Sequence, residues 1–444
     1  MLVLWTDALI YLLLLASLLL AWYLASQRHL RRPLASLTAS PVAMACLTLL
    51  LGFAGIGLLD SIHFKDQQSR SNEAISLLDK GCDAMRHHGE KTYSAPFAAY
   101  AYGKETITRT DGSSYWDYPR LQYGAAHLDD PEQQWLGDVA QKAGLALVQS
   151  GLVVVLLAGL LIKTGPRQLW QSASAKAVWL TLLLMVCSGY SLWILSEDYH
   201  VLGTDKVGED VFYQALKSIR TGLVIGCLTT LVMLPLAVLF GILAGFFKGW
   251  VDDLIQFIYT TLNSIPSVLL IAASILMVQV YMANHGEDFN NLLVRADMRL
   301  LFLCLILGVT SWTGLCRLLR AETLKLREME YVLAAQTLGV KPAMILFRHI
   351  LPNVMHIVLI SVVLDFSSLV LAEAALSYIN IGVDPTTHSW GNMINSARLE
   401  MAREPVVWWP LTAAFGFMFA LVLAANLFAD KVRDAFDPRS NQND

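Results

Sequence analysis

Charge is scarce in this sequence. Only 15% of its 444 residues are Asp, Glu, Lys or Arg, against about a quarter in ordinary soluble domains. Apolar residues make up 55% and the mean hydropathy is +0.51, so a water-soluble globular protein is excluded. A phosphate-binding Gly-x-x-x-x-Gly-Lys-[Ser/Thr] loop is missing as well, and ATP hydrolysis through such a loop is not expected on this chain. Cysteines are few and unpaired in pattern. Cys46, Cys187, Cys227, Cys304 and Cys316 fall in or beside apolar runs, and Cys82 stands alone in a polar stretch, so neither a disulfide framework nor a zinc spacing is available. His63, Cys82, His87 and His88 do not make a nickel site, because adjacent histidines on a helix point apart and no carboxylate or thiol pair completes a geometry. The net charge of −4 gives no sign of a nucleic-acid partner. Repeats and low-complexity tracts are lacking too.

The sequence does contain a series of long apolar runs. Val3 to Leu24 carries one charge, Asp7, and is long enough for the ~20 residues a bilayer-spanning helix needs. No Lys or Arg precedes it and no small-residue cleavage site comes after it, so a membrane helix is expected rather than a cleaved leader. Further spans are expected at Pro41 to Leu59, Leu145 to Ile162, Ala177 to Leu195, Ile219 to Phe246, Ile255 to Met282, Leu300 to Leu315, Val354 to Leu371 and Trp408 to Phe428, about nine in all. Pro235 and Pro266 fall inside two of them and predict kinks. Basic residues concentrate in alternate loops: Arg28, Arg31 and Arg32; Lys163, Arg167 and Lys176; Lys248; six between Arg317 and Arg348; then Lys431, Arg433 and Arg439. By the positive-inside rule these loops are cytoplasmic, with the N-terminus outside and the C-terminus inside.

The long segment Ser61 to Gly144 then lies outside as a small extracytoplasmic domain. An amphipathic helix is expected at Glu73 to Met85, with Ile75, Leu78, Cys82 and Met85 near one face, and a hairpin turning at Asp111-Gly112. Tyr115, Trp116, Tyr118, Tyr123 and Trp135 crowd the residues beyond that turn. They suit a small core and residues resting at the membrane surface, or a partner-binding patch.

Residues Arg317 to Asn353 are too polar to span. A helical stretch Glu328 to Leu338, then Gly339, Pro342 and a second helical stretch ending at Leu351-Pro352 predict a helix, a turn and a short second helix, a stub able to enter a groove on a soluble partner. The stretch Glu330-Tyr-Val-Leu-Ala-Ala-Gln-Thr-Leu-Gly339, followed by Phe347-Arg-His-Ile-Leu-Pro-Asn353, resembles the signature loop of binding-protein-dependent ABC importer permeases. There a Glu-Ala-Ala triplet precedes a glycine; here Leu333 stands at the Glu position, and Ala334, Ala335 and Gly339 match. Glu328 and Glu330 lie within about one turn. The run Leu202-Gly-Thr-Asp-Lys-Val-Gly-Glu-Asp-Val211 is similar to the Leu-Gly-Thr-Asp-x-x-Gly-Arg-Asp motif of the dipeptide, oligopeptide and nickel permeases, matching at Gly203, Thr204, Asp205, Gly208 and Asp210, with Glu209 in place of Arg. Glu373 to Val383, Ser389-Trp390-Gly391-Asn392-Met393 and the tail ending Asp437-Pro-Arg439 resemble the C-type permease of those systems.

The resemblance implies an all-α polytopic membrane protein with the type I ABC importer core over 177–444, preceded by two additional helices in 1–60, the extracytoplasmic domain 61–144, and a third additional helix with a linker in 145–176. It further implies a permease in the bacterial inner membrane, working by alternating access with a second homologous permease, two ABC ATPases that carry ATP and Mg, and a periplasmic or lipid-anchored solute-binding protein. In the family the loop 317–353 forms the coupling helix, here Glu330, Leu333, Ala334, Ala335, Gly339, Leu351 and Pro352. Peptide is the expected cargo, with nickel or another small solute as the alternative. Asp365 and Glu373 are candidate pathway-lining residues, since a charge inside an apolar helix costs about 2.5–3.5 kcal/mol unless a cavity or partner receives it. A rival reading, an intramembrane enzyme or sensor with these two as paired carboxylates, founders on their separation of about 12 Å along a helix.

Overall fold

The computed structural model describes residues 4–26, 31–65, 74–108, 114–164, 172–286 and 292–436. Its helices are α1 (Trp5–Ser26), α2 (Arg31–Ala39), α3 (Pro41–Asp60), α4 (Leu77–Gly81), α5 (Asp83–His87), α6 (Pro131–Thr164), α7 (Ala173–Leu195), α8 (Val211–Phe247) and α9 (Gly249–Ser264). They continue as α10 (Ser267–Asn284), α11 (Leu292–Ser311), α12 (Thr313–Arg327), α13 (Glu330–Thr337), α14 (Pro342–Ile345), α15 (Leu351–Tyr378), α16 (Trp390–Glu400) and α17 (Trp409–Phe436). Two short antiparallel pairs, β1 (His63–Lys65) with β2 (Ala74–Ser76) and β3 (Glu105–Thr108) with β4 (Ser114–Asp117), are the strands among the described residues. Among the described residues, seven helical runs are long and apolar enough to cross a membrane: α3, α6, α7, α8, α10, the continuous run Pro342–Tyr378, and α17. Of the nine expected spans, α1 offers a shorter apolar stretch, Trp5–Ser17, and α11 carries Arg295, Asp297 and Arg299 in its first half.

The chain forms two compact units. The first comprises Thr38–Gly222 and Thr387–Ala424. In it α7 packs against both α3 and α6. Ser40 and Ser172 start α3 and α7 by accepting N–H bonds from Ala43 and Ala175, the usual way of satisfying a helix's free first-turn donors. Helix α6 begins at Pro131 rather than Leu145. Its polar early turns are held because Trp135, Val139 and Ala143 pack on a small core of Leu128, Leu195 and Tyr199. The helix expected at Glu73 to Met85 is instead β2 followed by α4 and α5. The hydroxyl of Ser76 accepts from Asp79 N (3.0 Å) while the Asp79 carboxylate accepts from Ser76 N (2.9 Å), a reciprocal cap that sets the start of α4. Leu78, Cys82 and Met85 do share one face, buried with Phe212 and Tyr213. The β3–β4 hairpin is present, its register pairing Thr108 with Ser114; Asp111 and Gly112 lie outside the described residues.

The second unit comprises Val3–Leu37, Leu223–Thr386 and Ala425–Asp444. Thus α1 and α3, expected as one additional block, belong to different units. Pro235 sits inside α8 as expected. Pro266 does not kink a helix but separates two: it is the N-cap of α10, and Ile265 before it is extended (φ −93, ψ 130), as the clash with a following proline ring requires. The first of those helices, α9, is bound to α12 by a bidentate Arg320–Asp252 pair (2.6 and 2.7 Å). Helices α8 and α12 approach closely at Gly241 and Gly245, where an added Cβ would come within 2.8 Å of the Cys316 carbonyl and 2.6 Å of Thr323 Cβ. Trp312, Leu315, Leu319, Val332, Ile345 and Ile350 continue this core into the stub 317–353.

Candidate functional site

In the second unit, residues 317–353 form the expected stub. Helix α13 ends at Thr337 with Leu338 as its C-cap, and Gly339 adopts φ +74. Val340 N donates to Ala335 O and Gly339 N to Gln336 O, both 3.0 Å, the paired bonds of a left-handed C-terminal cap. Nothing approaches the space a Gly339 side chain would occupy, so the glycine is needed for its backbone conformation alone. Pro342 then opens α14, and a π-helical turn, Leu346–Ile350, leads into α15. Pro352 cannot donate to the carbonyl one turn back, and the widened turn absorbs that loss.

Val332, Ala335, Ile345 and Ile350 anchor the stub in the core, and Leu351 is half-buried. Glu330, Leu333, Ala334, Gly339 and Pro352 are exposed. Beside them stand Met329, Met344, Leu338 (83% exposed) and Phe347 (71%), large apolar side chains that the loop's polarity had masked. Glu328, one of the two acids near the family's Glu position, pairs instead with Lys248 (3.0 Å).

The motif Leu202 to Val211 lies in the first unit, with Gly203, Thr204, Gly208 and Asp210 buried and Lys206, Val207 and Glu209 exposed. Asp210 caps α8: its Oδ1 accepts from Phe212 N (2.8 Å) and Tyr213 N (3.1 Å). Asp205 accepts from Val207 N, Glu209 N and the Gln214 amide. Glu209, where the family places Arg, shares that amide (3.0 Å); burial, then Asp205, raises its pKa. Thr204 donates to Thr92 O and accepts from Ser94 N (2.7 Å), and its carbonyl receives Trp409 Nε1–H (2.9 Å). Gly203 (φ +69) and Gly208 (φ +83) are sterically confined, the first by Ser94 O and Trp409, the second by the Glu90 backbone.

The segment between α3 and α6 therefore closes over the motif. Its Glu90, which no motif singled out, accepts from the backbone N–H groups of Gln122, Tyr123 and Gly124. Its carboxylate also lies 3.6 Å from His200 Nε2, whose Nδ1 sits 2.9 Å from Asp210. Burial opposes the charge on both groups, yet the two carboxylates raise His200 to about 9, and His200 with the backbone donors lowers Glu90 to about 2. A second joint lies at Lys217, paired with Asp79 (2.8 Å) and Asp60 (3.7 Å). Ser389 caps α16 through Asn392 N, the Asn392 amide donates to Thr387 O, and the buried Trp390 donates to Ala215 O and lies against Gly222, with Gly391 buried beside it.

The tempting metal residues go elsewhere: His88 stacks on Tyr123, His87 pairs with Asp83, and Cys82 is buried, its thiol pushed to about 11 by burial and then Asp79. Asp365 and Glu373 are not a pair. Glu373 is buried and accepts from Ser377 Oγ (2.7 Å), whereas Asp365 is partly exposed near the middle of α15. Asp437 and Arg439 lie outside the described residues.

The family described as binding-protein-dependent transport system inner membrane component matches residues 237–442. The oligopeptide transport system permease protein OppC of Bacillus subtilis is 30% identical over 240 residues, 54% of this chain and 72% of that protein. The glutathione transport system permease protein GsiD of Pectobacterium atrosepticum is 32% identical over 241 residues, covering 54% and 73%. The dipeptide transport system permease protein DppC of Lactococcus lactis is 30% identical over 246 residues, covering 55% and 66%. With the capped stub, the α8-capping motif and the apolar helices on one chain, the chain belongs to the family of binding-protein-dependent transport system inner membrane components, the permease subunits of ABC importers.

Proposed function

We propose that this permease imports peptides, that its stub 317–353 docks on a separate ATPase carrying ATP and Mg, and that a second homologous permease and a solute-binding protein complete the machine. The carrying observation is the stub itself. Met329, Leu333, Leu338, Met344 and Phe347 are exposed on a short, rigidly capped segment anchored through Val332 and Ile345, and such apolar exposure on a polar loop suits a helix-in-groove contact. The relatives named for dipeptide, oligopeptide and glutathione transport favour peptide over nickel. Gly339→Val tests the docking: the variant should reach the membrane at normal level yet lose uptake and fail to co-purify an ATPase. Normal uptake by a well-expressed variant would overturn the assignment.

The N-terminus stands outside in this reading. Trp5 N and Thr6 N at the start of α1 donate to Asp297 (2.9 and 3.3 Å), early in α11, so the two helix starts share a depth, and α11 leads toward the docking stub. Segment 61–144 then faces outward. Because Cys82 is buried, it is a poor label; Trp116, 70% exposed, is the better site. Trp116→Cys, with the native cysteines replaced, should react with a membrane-impermeant thiol reagent in intact spheroplasts. Labelling only after lysis would reverse the orientation.

A further inference from the structure

Helix α15 carries an exposed, mostly apolar stripe with a carboxylate at its edge. Leu364, Ser368, Leu371, Ala375 and Tyr378 are its exposed residues between Leu364 and Tyr378, a single face at helical spacing. Ser361, Asp365 and Ser368 fall within about 60° of one another around the helix and adjoin that face. Asp365 lies about 20 Å from either end of the helix, where lipid would be thickest. The Ser368 hydroxyl bonds the Asp365 backbone carbonyl (2.8 Å), not its carboxylate. Among the described residues no hydrogen bond or ion pair to the Asp365 carboxylate is found. Glu373, by contrast, is turned about 80° away and buried on Ser377. A partly exposed carboxylate at mid-membrane, beside two hydroxyls and with no cation against it among the described residues, suits a watered passage, where a passing positive charge can pair with it.

We propose that Asp365 is a cation-binding residue of the translocation passage and selects positively charged peptides as they cross. This rests on the peptide-permease reading. The passing group is an ammonium or guanidinium, which donates to the carboxylate while Ser361 and Ser368 supply hydroxyl oxygens along the same stripe; no bond is made or broken. A charge-assisted hydrogen bond of this kind is worth about a tenfold preference or more.

The test is uptake of trilysine against triglutamate by the assembled complex in proteoliposomes with its binding protein. The wild type should favour trilysine. Asp365→Asn should lower the trilysine-to-triglutamate ratio about tenfold without loss of the second permease from the purified complex, and Asp365→Lys should reverse the preference. A ratio unchanged in both variants overturns the proposal. So does loss of the second permease from Asp365→Asn, which would make the cation a residue of that subunit. Should the wild type take up neither peptide while a different solute is transported, the peptide reading itself fails and the selectivity falls with it.

Discussion

The loop at Gly203 and Gly208 and the loop at Gly339 both use glycine at positive φ, and they use it for different ends. At Gly203 and Gly208 the backbone turns where other chain segments press against it. At Gly339 the same kind of turn opens into free space. The loop 202–211 is a joint, with the Asp210 carboxylate and the Thr204 hydroxyl and carbonyl engaged by neighbouring segments. The stub is a finished shape with apolar side chains left over. One loop is engaged within the chain, and the other leaves large apolar side chains exposed, as the proposed docking requires.

Breaking the joint should have the largest effect. Gly208→Ala would drive a methyl group into the Glu90 backbone, which cannot yield as a flexible side chain could, and should cost about 3 kcal/mol or more. Little folded protein should be recovered from membranes, and recovery at wild-type level would mean that the segment does not press on the motif. Glu90→Ala comes next. It leaves a buried His200 cation with half its compensation, a loss of about 3 kcal/mol, read as a fall in the thermal midpoint of the purified protein. The pH dependence carries the sign. His200 is raised above its unfolded value of 6.5 to about 9, so its contribution is full below pH 6.5 and is lost as pH rises through about 9. Glu90 is lowered to about 2, so its contribution is full above its ordinary 4.5 and is lost as pH falls toward 2. His200→Asn should flatten the alkaline limb and, because His200 is one of the groups that lower Glu90, weaken the acid limb as well. At the stub the order of effects inverts. Leu338→Ser with Phe347→Ser should change stability by no more than about 0.5 kcal/mol while clearly reducing the ATPase that co-purifies; unchanged co-purification would leave those side chains without a role.

The same contrast marks how far the sequence could be read. The stub was legible because its signals are local: Gly339 ends a helix, Pro342 starts one, and Pro352 disturbs the next turn. The spans were legible because lipid demands long apolar runs. Pro266 was misread as a kink because a proline inside an apolar stretch looks the same whether neighbours keep the helix running or let it end. The start of α6 was misplaced because hydropathy cannot see Trp135 and Val139 packing on Tyr199. Glu90 was invisible, since nothing adjacent to it in sequence marks it as His200's partner.

What the sequence by itself determined is the set of elements with short-range causes: apolar helices, the Gly339 turn, and the motifs that identify the family. The tertiary structure alone decided which of them meet. It joined the segment between α3 and α6 to the capping motif of α8, divided α1 from α3, and separated Asp365 from Glu373, one on an exposed face and the other buried. The reason is physical. A cap or a turn is stabilised by groups a few residues apart, whereas a buried cation such as His200 is stabilised by carboxylates 110 residues and 10 residues away in the chain, a pairing that forms only when the whole chain has closed around it.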